Sequence, residues 1–393
     1  MGEWKKVKLG EILEEYCERN IDNKYMPVAV GKYGIRKREE IYSKELSKDI
    51  SKNKVIRKDT LTIGMGSNQI DIGILVEDEK YCVSPAYTTY KIKNCDSKFL
   101  EYYLEYINPR LSDLFMIVSA RQGKSVDKEG MMNYIIKIPN LKEQRKIVEI
   151  LTKIDRIIQI YDNLIIQQKG YLEQELISYF GTLNNTKYPI KKLIDIVDKK
   201  DKNSLKRGPF GGSLKKQDFT SKGYLVYEQR HAIHNDFEYE KYYIDYEKYK
   251  KMEGFSVKPY DLIVSCSGAT LGKIAEIPQN AKEGIINQAL LKIKLNPNIM
   301  NNKFFIALFR GRDVQNKLLG VSRGTGMPNF PSMTEVKKLQ FICPDIKLQN
   351  KVEEIVTLYD EKNKILNKQK YNYTRLKKGL MQKLLTGKVD INV

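Results

Sequence analysis

The sequence predicts an α+β chain with a pseudo-twofold internal repeat: two mixed α/β domains joined by two long helices that form an antiparallel coiled coil. Three observations predict it. Ile138-Pro139-Asn140-Leu141-Lys142-Glu143-Gln144 returns in register as Cys343-Pro344-Asp345-Ile346-Lys347-Leu348-Gln349. A long stretch of helical apolar spacing follows each copy. A fainter echo opens each half, Val7-Lys8-Leu9-Gly10-Glu11-Ile12 against Lys191-Lys192-Leu193-Ile194-Asp195-Ile196.

Taken in order, the first globular region covers roughly 15–138. Thr60-Leu61-Thr62-Ile63, the Gly-rich Gly64-Met65-Gly66-Ser67-Asn68 and Ile72-Gly73-Ile74-Leu75-Val76 read as strand, turn, strand. A short helical stretch follows at 97–107. Beyond Pro139, which suits a site just ahead of a helix, apolar residues fall at Ile147, Leu151, Ile154, Ile158, Tyr161, Ile165 and Leu172. These steps of four and three are a coiled-coil seam, interrupted by Gln168. Gly181 suits its end. A helix of about 40 residues would be about 60 Å long. The second region, roughly 200–343, repeats the scheme with Leu262-Ile263-Val264-Ser265, the turn 267–272 and Lys273-Ile274-Ala275-Glu276-Ile277, then a helical stretch at 301–319. The second seam runs through Val352, Val356, Tyr359, Leu366, Tyr373, Leu380 and Leu384, with Asn363, Lys370 and Lys377 at seam positions. The expected segments are 1–140 and 184–343 for the two domains, with 141–183 and 344–393 for the helices.

At 393 residues, with 41% hydrophobic and 30% charged residues, the chain has room for two cores. No apolar run approaches the roughly 20 residues needed to span a bilayer, and the first residues show no signal-peptide pattern, so no membrane association and a cytoplasmic location are expected. The five cysteines lack any CxxC pair, which argues against a disulfide framework or a zinc site. A formal net charge of +20 favours a polyanionic partner, nucleic acid first.

Few residues suit catalysis. His231 and His234 stand three apart but have no evident third metal ligand, so base or phosphate contact, or plain surface, is the better expectation. Gly268-Ala269-Thr270-Leu271-Gly272-Lys273-Ile274 is one residue short of a phosphate-binding loop and carries Ile274 where Ser or Thr belongs; a turn between strands is expected. Asp345, Asp360 and Glu361 superficially match a nuclease pattern, yet they fall along the helix, where no pocket gathers them. There is neither an Asn-Pro-Pro-aromatic segment, which an amino-group DNA methyltransferase needs to hold an extruded base, nor a Gly-rich cofactor fingerprint. No metal site is expected. Arg and Gln next to Gly and small polar residues suit DNA better, since they reach base edges where the backbone comes close. The candidates are Arg121, Gln122 and Lys124 ahead of the first entry segment, Ser322, Arg323 and Thr325 ahead of the second, and Arg36, Lys37, Arg38, Arg207, Lys215, Lys216 and Arg230 as base or phosphate contacts.

Together these features resemble a type I restriction-modification specificity (S) subunit. Pro139-Asn140-Leu141-Lys142-Glu143-Gln144 and its second copy resemble the entry to that family's two conserved helices. Arg207-Gly208-Pro209-Phe210-Gly211-Gly212-Ser213-Leu214-Lys215, the stretch from Asp261 to Gly272 and the stretch from Leu376 to Gly387 are similar to further family segments. The first half departs from the pattern: it offers only Val30-Gly31-Lys32-Tyr33-Gly34-Ile35 in place of a Gly-Pro-Phe-Gly segment. The resemblance implies one target recognition domain per half of a split double-stranded DNA site, with paired helices that set the spacing and dock two methyltransferase subunits. It implies no catalysis and no cofactor in this chain. S-adenosylmethionine belongs to the methyltransferase, and ATP and Mg to a restriction subunit where one is present. The opposing readings are a coiled-coil interaction scaffold without a DNA role and a stand-alone DNA-acting enzyme.

Overall fold

The computed structural model describes residues 4–31, 34–38, 49–119, 123–180, 188–210, 212–320 and 330–389. The chain divides into two compact units, Met1–Asp162 with Lys368–Val393, and Asn163–Asn367. The division runs through the two long helices, Leu141–Phe180 (40 residues) and Ile346–Leu384 (39 residues), so each unit holds the start of one and the end of the other.

The first unit opens on strand Lys5–Lys8, which pairs antiparallel with Ile135–Ile138, the strand just ahead of the first long helix. Its central sheet has the order Leu13–Glu15, Thr88–Ile92, Thr60–Met65, Ile70–Leu75. The last two strands form the expected hairpin around the Gly-rich turn. Helix Ser97–Phe115 starts at Asp96, whose side chain accepts from the Phe99 N–H at 3.0 Å. The sequence suggested a helix ending near 107, ahead of Asn108-Pro109. It continues to Phe115 because Leu111 and Ser112 prolong its buried face, and this packing outweighs the hydrogen bond lost at Pro109. The core joins Leu61, Ile63 and Ile74 of the sheet, Phe99 and Leu104 of this helix, Ile147 and Leu151 of the first long helix, and Met381, Leu384 and Leu385 at the far end of the second.

In the second unit, Ile190–Lys192 pairs with Gln340–Ile342, again the strand just ahead of a long helix. One sheet has the order Leu205–Arg207, Leu290–Ile293, Leu262–Ser265, Ile274–Glu276; a second has Tyr243–Ile244, Tyr224–Tyr227, Gly284–Ile286, Ser256–Val257. The predicted 301–319 stretch is two helices, Asn302–Arg310 and Arg312–Gly320, parted at Gly311, whose extended backbone breaks the run. Val352 and Val356 of the second long helix lie in the core, and Leu172 and Leu176 of the first pack against it.

The repeated entry segment performs the same task in each unit. Asn140 Oδ1 accepts from the Glu143 N–H at 3.0 Å, and Asp345 Oδ1 from the Leu348 N–H at 2.9 Å, so each caps its long helix. Gln144 donates through Nε2 to the Pro139 carbonyl at 2.8 Å and accepts the Asp96 N–H at 2.8 Å. Gln349 donates to the Pro344 carbonyl at 2.8 Å and accepts the Asn301 N–H at 2.8 Å. Asp96 and Asn301 are themselves N-caps, so each glutamine ties a domain helix to a long helix.

Where the long helices pair within the first unit, they run antiparallel. Tyr161 stacks on Tyr373 at 5.7 Å, Lys370 pairs with Asp162, and Lys377 with Asp155 at 3.0 Å. Two of the polar seam residues are thus satisfied by carboxylates of the facing helix. Among the described residues no helix is long and apolar enough to cross a membrane.

Candidate nucleic-acid interface

Arg121, Gln122, Ser322, Arg323 and Thr325 lie outside the described residues. The remaining candidates form separate groups. In the first unit, Arg36 and Lys37 are exposed on strand Gly34–Lys37, whose hairpin lies so close to strand Ile70–Leu75 that a Cβ at Gly73 would stand 2.7 Å from Ile35; Arg38 follows, partly buried. Lys124 stands on the hairpin Met116–Ser119/Gly123–Val126, and its ammonium donates to the carbonyl of Ser67 in the Gly-rich turn. Lys124 and that turn, 57 positions apart, therefore meet.

The second unit brings together segments that the sequence holds far apart. Arg207 pairs with Leu291, and Ser265 with Leu290, so the Gly-Pro-Phe segment and the Ser-Cys-Ser-Gly segment flank one strand. Only glycine fits at 208, where a Cβ would stand 1.8 Å from the Asn287 carbonyl oxygen. The Arg207 guanidinium lies 4.9 Å from the Phe210 ring centre and 5.9 Å from that of Phe330, the first described residue after 321–329. Burial pushes the neighbouring Cys266 thiol up to about 12, while the Arg207 charge pulls it the other way. That thiol stays protonated. Gln229 Nε2 donates to Ser265 Oγ, Ser267 O and Ser267 Oγ, each at 2.9 Å, and fixes the turn carrying Gly268, which has a φ of +71° and open space above its Cα. A backbone so placed lets a ligand approach closely.

The cations differ in what they already hold. Arg230 is paired with Asp236 at 3.4 Å and stacked on Tyr239 at 4.4 Å. Lys215 and Lys216 are exposed, and among the described residues no acid pairs with them or with Arg207. Asp218 accepts the Lys215 backbone N–H, and this bond, with Lys248 beside it, holds the Asp218 carboxyl below its usual range. Its charge is engaged by the backbone and by Lys248, with a smaller contribution from Lys215.

His231 differs from the sequence expectation of surface or DNA contact. It is 1% exposed; the Glu228 N–H donates to Nδ1 at 2.9 Å, and Nε2 lies 2.9 Å from the Tyr239 carbonyl. This ring is internal scaffolding, because both nitrogens serve backbone groups that burial cuts off from water. His234 is exposed. The segment 268–272 is a helical turn inside a hairpin, as the missing Ser or Thr suggested. Asp345 is used as a helix cap, and among the described residues no group of three potential metal ligands gathers. Sequence reasoning missed Phe210, Gln229 and Phe330. Phe210 stood inside a quoted motif, whereas Phe330 had no signal, being 123 positions from Arg207.

Each unit is thus a mixed α/β fold clipped to a long helix. Over the whole chain the fold is that of solved S subunits. The crystal structure of the type I restriction-modification system S subunit from M. genitalium matches with a TM-score of 0.53 at 15% identity, covering 100% of this chain and 97% of that one. A structure described as the basis underlying complex assembly and conformational transition of the type I R-M system matches with a TM-score of 0.55 at 13% identity, covering 98% and 97%. Residues 1–168 match the family model of the type I restriction modification DNA specificity domain. With this match the resemblance drawn from the motifs is borne out.

Proposed function

We propose that this chain is the DNA sequence-specificity subunit of a type I restriction-modification system. Each unit reads one half of a split duplex site, and the long helices with their adjoining segments dock methyltransferase subunits, and restriction subunits where present. The chain itself catalyses nothing; S-adenosylmethionine is held by the methyltransferase, and ATP and Mg by a restriction subunit. The observation that carries this reading is the twofold use of one clip, Gln144 and Gln349, to hold two mixed α/β folds on two long helices, the first within a matched specificity domain. The net charge of +20 supports a polyanionic target.

The test combines the purified chain with its neighbouring-gene methyltransferase, S-adenosylmethionine and duplex DNA. Methyl transfer is expected only when both proteins are present, at a bipartite motif that modified-base sequencing reads out. Binding should weaken steeply with salt, the logarithmic slope being about −0.9 per phosphate neutralised. Methyl transfer by this chain alone would establish the stand-alone enzyme. Salt-independent or absent duplex binding would leave the interaction scaffold.

A further inference from the structure

Phe210 is 62% exposed, yet it sits in a tightly built segment. The close fit of Gly208 against Asn287 seats the backbone before it, and Pro209 restricts the next φ to the range its ring allows. After it, Gly212 takes a left-handed φ of +74°, and Ser213 Oγ donates to the Phe210 carbonyl at 2.7 Å. The ring is therefore held through the backbone contacts of Gly208 and Phe210 rather than by an apolar pocket. Its neighbour is the Arg207 guanidinium, which also lies 5.9 Å from the Phe330 ring centre. Arg207 has no ion-pair partner among the described residues, and its buried Nε has no hydrogen-bond partner. Lys215 and Lys216 stand exposed further along the segment.

We propose that Phe210 is an apolar wedge of the second unit, which presses its ring edge into a base step of duplex DNA while Arg207 and the two lysines hold the flanking phosphates. This rests on the DNA-specificity reading and adds to it a mode of contact. Partial unstacking of a base step is costly and needs an apolar insert that does not fold back, with cations beside it. The loop supplies the first and the unneutralised charges the second. A protein partner would be expected to supply an apolar surface for the ring; a ring amid unpaired cations is complementary to a polyanion.

The full chain, without methyltransferase so that no enzyme extrudes a base, is used to select duplexes from a random-sequence pool at low salt. Selected duplexes are then scanned with 2-aminopurine, whose fluorescence rises on unstacking. Wild type should give a rise at one step within one half-site. Phe210→Ala should abolish that rise and weaken binding roughly tenfold with an unchanged salt slope. Arg207→Gln should reduce the slope by about one. Phe210→Leu, which keeps an apolar insert, should retain part of the signal and shows that loss in the alanine variant is not misfolding. A Phe210→Ala chain that keeps the full fluorescence rise overturns the wedge and leaves DNA reading intact. A wild-type chain that binds no duplex overturns both.

Discussion

Gln144 and Gln349 are 1% and 0% exposed, and each amide serves one backbone donor and at least one backbone acceptor. A leucine of similar volume would strand the Asn301 N–H and the Pro344 and Ile299 carbonyls around position 349. Gln349→Leu should therefore cost about 1–3 kcal/mol for each stranded group, read by urea unfolding. Gln144→Leu should cost a comparable amount; an unchanged midpoint in both variants would refute the clip. Asp261 tests burial at the same scale. It is 2% exposed, and desolvation raises its carboxyl above the ordinary value of 3.8, although the Lys258 N–H and the Lys292 and Lys294 charges pull it down. A raised folded-state value means that its contribution to stability is complete below 3.8 and is lost as pH rises through the folded value. Asp261→Asn keeps an acceptor for the Lys258 N–H, which now lies 2.9 Å from Oδ2, and removes the titration. Its stability relative to wild type should climb with pH across that window. A difference that stays flat, or moves toward the wild type, in unfolding curves at stepped pH would sink the assignment.

At the scale of elements, the polar interruptions of the second helical seam acquire a reason. Lys377, with its side chain 16% exposed, reaches Asp155 at 3.0 Å and Glu105 at 3.5 Å, over the Tyr102 ring at 5.2 Å. The Tyr102 hydroxyl donates to Asp155 at 2.6 Å, and burial, the main cause, raises its pKa with help from that carboxylate. One node thus joins both long helices to helix Ser97–Phe115. Lys377→Met should cost about 1–2 kcal/mol by leaving Asp155 without its cation. The double variant with Asp155→Asn should cost less than the sum of the single variants, by about 1 kcal/mol, and strict additivity in unfolding titrations would dissolve the node. The long helices were legible from sequence because steps of four and three are a local property of the chain. The hairpins were legible because Gly-rich turns separate β-branched runs. The extension of a helix past Pro109 was not, since it depends on what Leu111 packs against. The candidate site was legible only in part: Arg207 announced itself by type and neighbourhood, but its neighbour Phe330 comes from tertiary folding alone.

For the whole molecule, the first unit is built from both ends of the chain, Met1–Asp162 with Lys368–Val393. The core of the first contains Met381, Leu384 and Leu385 from the end of the second long helix, all 5% exposed or less. A chain truncated after Leu183 lacks them and is left with an apolar gap beside Ile147 and Leu151. The repeat offers a replacement. With Gln144 aligned on Gln349, Leu176 occupies the place of Met381, and in the second unit Leu172 and Leu176 already pack against a core of the same kind. A second copy of the truncated chain can therefore close the first with the end of its own helix, and be closed in return, by a twofold arrangement. The truncated chain should sediment as a dimer. If each copy reads the half-site of the first unit, the methylated motif should become symmetric. A stable folded monomer in sedimentation, or retention of the full chain's motif in modified-base sequencing, would defeat this account.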